Sequence, residues 1–111
     1  MSSKVVVNMR ACSHAHTITV SMRDDGNMDV DIVSDCPHIQ EYAERLKVIT
    51  MDDITDFAGS RIVDPEVRQP VSATCLCPIG VFTAAWKEAG MMSKSICERF
   101  HSNDIVLDPP E

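Results

Sequence analysis

The chain has 111 residues, of which 44% are apolar, with five cysteines and a formal net charge of −7. That length suits one domain over residues 1–111 with a single modest core, and the apolar share excludes a disordered chain. The acidic balance and the lack of any Lys/Arg-rich stretch argue against a nucleic-acid partner, because gripping phosphates requires concentrated positive charge.

No run of about eighteen apolar residues exists, so no membrane span or membrane partner is expected. The opening residues Met1-Ser2-Ser3-Lys4-Val5 lack the apolar core of a signal peptide. A cytoplasmic location is therefore expected. An odd number of cysteines in that setting reads as reduced thiols or thiolate ligands rather than a disulfide framework.

Residues 4–10 read as a strand with Val5, Val7 and Met9 on one face. Residues 17–23 are a clearer strand, with Ile18, Val20 and Met22 alternating against Thr17, Thr19, Ser21 and Arg23. Asp24-Asp25-Gly26-Asn27 is a turn whose glycine supplies positive φ. Met28, Val30 and Ile32 then alternate with Asp29, Asp31 and Val33, which completes a β-hairpin with one wet face.

Residues 37–47 follow as a helix, with Ile39, Tyr42, Ala43 and Leu46 at helical spacing. Thr50-Met51-Asp52-Asp53 starts a short second helix. Residues 58–71 contain Gly59, Pro65 and Pro70 and read as a loop with an extended stretch at 61–63. Residues 78–89 form a third helix, apolar nearly all round, which is either central in the fold or covers a partner. Gly90 suits the position just past its end. Residues 95–101 read as a strand, with a short helix as the alternative, and 108–111 as a frayed tail. Strands lead and helices follow, which predicts an α+β fold: an antiparallel sheet of three to five strands with two main helices on one face, the 78–89 helix being the more buried.

The chemistry-bearing residues are the cysteines. Ser34-Asp35-Cys36-Pro37 and Cys75-Leu76-Cys77-Pro78 each place a cysteine directly before a proline at a helix start. Proline favours the first helical position and holds the preceding residue extended, so Cys36 and Cys77 are expected to be N-caps. A helix N-terminus favours a thiolate. Sulfur is a poor capping acceptor compared with Ser or Asp oxygen, so capping alone does not explain the choice. Cys75 and Cys77, two residues apart, suit one metal ion better than a disulfide.

Cys12-Ser13-His14-Ala15-His16 lies between two strands. It reads as a turn with both histidines solvated; if extended, it projects Cys12, His14 and His16 from one face. Cys12, Cys36, Cys75 and Cys77, with His38 and His14 as further ligands, therefore form the candidate metal set, for zinc or an iron–sulfur cluster. Against it stands the habit of cysteine to pack as a small buried hydrophobe, which is the reading for Cys97. The acids Asp52, Asp53 and Asp56 read as helix-start charge, and Asp24 and Asp25 as turn residues.

Ala11-Cys12, Ser34-Asp35-Cys36-Pro37, and Cys77-Pro78-Ile79-Gly80 ending at Ala89-Gly90 together resemble a small family of uncharacterised single-domain proteins from anaerobic bacteria and archaea. The resemblance spans most of the chain and carries no activity. It implies that Cys12, Cys36 and Cys77 are the positions to watch, and that Cys75 is peculiar to this chain, which favours three cysteines plus a histidine.

Three functions fit these residues. One is a cysteine-based metal protein. The second is a thiol-dependent enzyme or redox protein, with Cys36 or Cys77 as nucleophile and His38 or His14 as base. The third is an interaction module using the helix around Phe82 and Trp86. A homodimer is compatible with all three.

Overall fold

A computed structural model describes residues 2–108. Most of the expected C-terminal tail, residues 109–111, lies outside the described residues. The fold is α+β: a four-stranded antiparallel sheet in the order β1-β2-β3-β4 with helices packed against it. β1 (Ser2–Met9) pairs with β2 (His14–Met22), which places Val7 opposite His16. β2 pairs with β3 (Met28–Ser34), which places His16 opposite Ser34. β4 (Val48–Ile49) adds two residues to the far edge.

The alternation read from the sequence sets which face is covered. Ile18 and Val20 on β2, with Met28 and Ile32 on β3, are buried under the helices, while Thr17, Thr19 and Asp31 face outward. The hairpin turn follows its turn chemistry. Gly26 has φ 89°, and Asn27 donates its N–H to Asp25 Oδ1 at 2.9 Å.

α1 (Pro37–Leu46) begins at an extended N-cap, Cys36, as expected from the proline that follows. It buries Ile39, Tyr42 and Leu46 against the sheet. Tyr42 donates its buried hydroxyl to the Ile62 carbonyl at 2.8 Å, which ties the 58–71 segment down. α2 (Met51–Thr55) starts with a reciprocal capping box between Thr50 and Asp53.

Residues 61–63 are not extended as expected. They form a 3₁₀ turn, Arg61–Val63, because side chains take its leading N–H groups: Ser60 Oγ accepts from Ile62 at 3.1 Å and Asp53 Oδ1 from Arg61 at 3.0 Å. Residues 95–101 are not a strand either. They lie largely in α4 (Lys94–Arg99), where Cys97 N–H reaches Ser93 O at 3.1 Å. No residue of α4 is buried, so the sheet exerts no pull that would make the short alternation extended.

α3 (Cys77–Glu88) is the more buried main helix and lies on β1 and β2. Its start departs from expectation. Leu76, with helical dihedrals of φ −83° and ψ −3°, is the N-cap, and Cys77 is already the first helical residue. The chain curls one residue earlier because Cys77 donates its N–H to Cys75 Sγ at 3.5 Å.

α3 runs antiparallel to β1. At one end Leu76 N–H meets Met9 Sδ at 3.4 Å, and at the other Ser3 Oγ meets Glu88 Oε1 at 3.0 Å. Gly80 permits this approach. A Cβ there would press on Val7 Cγ2 and fall 2.7 Å from Ile18 Cδ1.

Gly80→Ala should therefore destabilise the protein despite the better helix propensity of alanine. The overpacking costs about 1–3 kcal/mol, against a propensity gain of about 1 kcal/mol. Urea unfolding should show a lower midpoint for the variant, and an unchanged or raised midpoint would contradict this account of the contact.

Candidate functional site

Three separated segments carry cysteines to one end of the sheet. The first is the turn from β1 to β2, where Cys12 N–H donates to Met9 O at 3.2 Å and Ser13 takes φ 58°. The second is the junction of β3 and α1, which holds Cys36. The third is the start of α3, with Cys75 and Cys77. Strand register sets the first two together, since β1 ends at Met9 beside His14, and His16 lies opposite Ser34. The Leu76–Met9 contact brings the third segment to the same end.

The thiols differ in their surroundings. Cys12 is exposed, Cys36 and Cys75 are half-buried, and Cys77 is buried; all are free, as is the half-buried Cys97 on α4. Burial raises the pKa of Cys75, and the charges of Cys12 and Cys36 raise it further, while the N–H of Cys77 opposes them. Burial, then the charges of Cys75 and Cys36, push Cys77 up to about 12. Both Cys77 and Cys75 also bear on Tyr42 of α1, whose pKa is raised chiefly by burial. Cys75 thus lies within electrostatic reach of Cys12 and Cys36, and Cys77 within reach of Cys75 and Cys36. They do not meet at a common point: among the described residues, no group of three or more His, Cys, Asp or Glu is arranged to hold a metal ion.

The two histidines after the turn were expected to be solvated. Instead both lie on β2, and His16 is only 2% exposed. Its Nδ1 lies 2.7 Å from Ser34 Oγ, which also accepts the Cys36 N–H at 2.9 Å. His14 Nδ1 pairs with Asp35 Oδ1 at 2.8 Å, and the two imidazoles stack with centroids 6.5 Å apart. The hydrogen bond from His14 holds the Asp35 carboxyl below its usual range. His38 sits exposed in the first turn of α1. Sequence reading thus missed His16, Ser34 and Asp35 as a polar frame around Cys36. For the two histidines the structure takes the extended alternative, in which their two-residue spacing puts both on one strand face.

The frame has a pH consequence. Burial and the neighbouring His14 lower the pKa of His16 below 6.5, against a smaller opposing effect of Asp35. The native state therefore keeps His16 neutral, and the unfolded chain binds more protons as pH falls. This contribution to stability is complete above pH 6.5 and is lost as pH drops from there through the lower native value. In His16→Gln, which cannot titrate, the urea midpoint should fall less steeply on acidification below pH 6.5 than in the parent. Superimposable pH profiles would contradict the assignment.

The two aromatic residues of α3 each have a partner within the chain. Trp86 donates its indole N–H to Ile54 O at 2.7 Å, and Phe82 stacks on Phe57 at 5.2 Å. Trp86, Phe57 and Ile79 nevertheless remain exposed on that side of the molecule. No helix of the described residues is long and apolar enough to cross a membrane.

No curated protein and no solved structure matches the sequence. A family match covers residues 3–100, which takes in every strand, all four helices and all five cysteines. The chain belongs to the family of unknown function DUF6951.

Proposed function

We propose that this protein carries one thiophilic metal centre, zinc or an iron–sulfur cluster, at the thiol end of the sheet. The ligands are Cys12, Cys36, Cys75 and Cys77. The observation behind this reading is that four of the five cysteines come from three separate segments to one end of the sheet, where the charges of Cys12 and Cys36 reach Cys75 and those of Cys36 and Cys75 reach Cys77. Three thiols packed only as small hydrophobes would have no reason to keep company with the exposed Cys12.

The donor set is soft and of the right number for either centre. Without a cation, gathering four thiolates would be opposed by burial and mutual repulsion, and a bound metal would offset both by taking the place of the thiol protons. Met9 and the N–H groups of Leu76 and Cys77, already turned toward sulfur, keep the approach of α3 short. His14, with Nδ1 held by Asp35, has Nε2 left to serve as the fourth ligand in place of Cys75. This is the histidine–carboxylate arrangement that orients metal-bound imidazoles.

Cys77 as a freely reactive nucleophile fits less well. A thiol with a pKa of about 12 is ionised in roughly one molecule in 10⁵ at neutral pH, too little for Cys77 to attack a substrate unaided.

Protein purified without oxygen should contain zinc or iron at one centre per chain, and visible absorbance separates the cluster from colourless zinc. Cys77→Ser should lose most of the metal, whereas Cys97→Ser should keep it. Absence of both metals, with all five thiols titrating freely in the folded protein, would overturn the reading.

A further inference from the structure

The two edges of the sheet differ sharply. The β4 edge is two residues long, whereas the β1 edge runs for eight residues, Ser2–Met9, with no neighbour on its outer side among the described residues. A long straight edge is a template for another strand, and proteins usually shorten, charge or kink it. β1 has only one of these guards, the charge of Lys4. It contains no proline and no bulge in its register with β2.

We infer that the β1 edge is a homodimer interface, in which two copies pair β1 with β1 antiparallel about Val6 and join their sheets into one.

The sequence of β1 is self-complementary in that register. Val6 falls opposite Val6, Val5 opposite Val7, Lys4 opposite Asn8, and Ser3 opposite Met9. No like charges face each other, and β-branched pairs occupy the centre, where cross-strand contacts contribute most. The interface also avoids the overall repulsion of two chains of charge −7, because β1 is without acids whereas β3 carries Asp29 and Asp31.

Both faces of the joined sheet gain from this pairing. On the outer face, Val6 lies beside Thr17, and Thr17 beside Val33. Val6 is 54% and Val33 64% exposed. The twofold would make one unbroken β-branched row, Val33-Thr17-Val6 followed by Val6-Thr17-Val33 of the second copy. On the helix side, Val5 and Val7 are only half-buried because α3 alone covers that edge. The second copy brings its own Val5 and Val7 alongside. The thiol ends would lie at opposite ends of the paired strands, so the dimer does not depend on the metal reading.

Sedimentation of the full chain under reducing conditions, over the micromolar to high-micromolar range, tests the inference with three samples: the parent, Val6→Lys and Val6→Glu. The parent should be dimeric. Each variant should be monomeric or raise the dissociation constant by about tenfold or more, with a far-UV spectrum like the parent's. An equimolar mixture of the two should dimerise again, which misfolding could not produce. A monomeric parent across the range, variants that dimerise as tightly as the parent, or folded variants whose mixture stays monomeric would each overturn the inference.

Discussion

The close seating of α3 on the β1–β2 hairpin is the constraint on which the rest of the molecule depends. A helix carrying large side chains on its inner face stands off a sheet; Gly80 lets the backbone of α3 settle onto Val7 and Ile18. The helix is then pinned at both ends, by Met9 beneath Leu76 and by Ser3 and the Met22 N–H on Glu88. Because its direction and height are fixed, the Cys75-Leu76-Cys77 segment must arrive beside the turn bearing Cys12 and the junction bearing Cys36. The thiol end is thus a consequence of core packing, and a glycine in the first turn of α3 sets the position of the cysteines beside it.

That end combines an apolar and a polar side. Val81, Ile39 and Tyr42 are part of the same buried cluster as Cys77, and Cys36 and Cys75 pack against it. On the other side stand His16 with Ser34 and His14 with Asp35. The apolar wall raises the cost of ionising the deeper thiols, and the polar wall fixes the backbone at Cys36 through the Ser34 hydroxyl. In the proposed metal reading, a bound cation would resolve this opposition by replacing the protons on sulfur.

Much of this was legible in the residues. Alternation with a fixed turn defined β2 and β3, and Pro37 with the spacing of Ile39, Tyr42 and Leu46 defined α1. The layer arrangement followed from their order. What was not legible depended on contacts across the chain. The 3₁₀ turn at Arg61 exists because Asp53, eight residues earlier, takes its N–H. The early start of α3 depends on the Cys75 sulfur. α4 carried an alternation too short to distinguish the two periods. At the site, the cysteines were readable as a set, but the burial of His16 was not, because it depends on β2 beginning at His14 rather than three residues later.

X-ray absorption at the metal edge of the anaerobically purified protein tests the central claim most directly. The account predicts a first shell dominated by sulfur at about 2.3 Å, with four sulfurs, or three sulfurs and one imidazole nitrogen, per metal. A shell of oxygen and nitrogen with at most one sulfur would mean that the thiols share one end of the sheet without sharing a metal, and would contradict it.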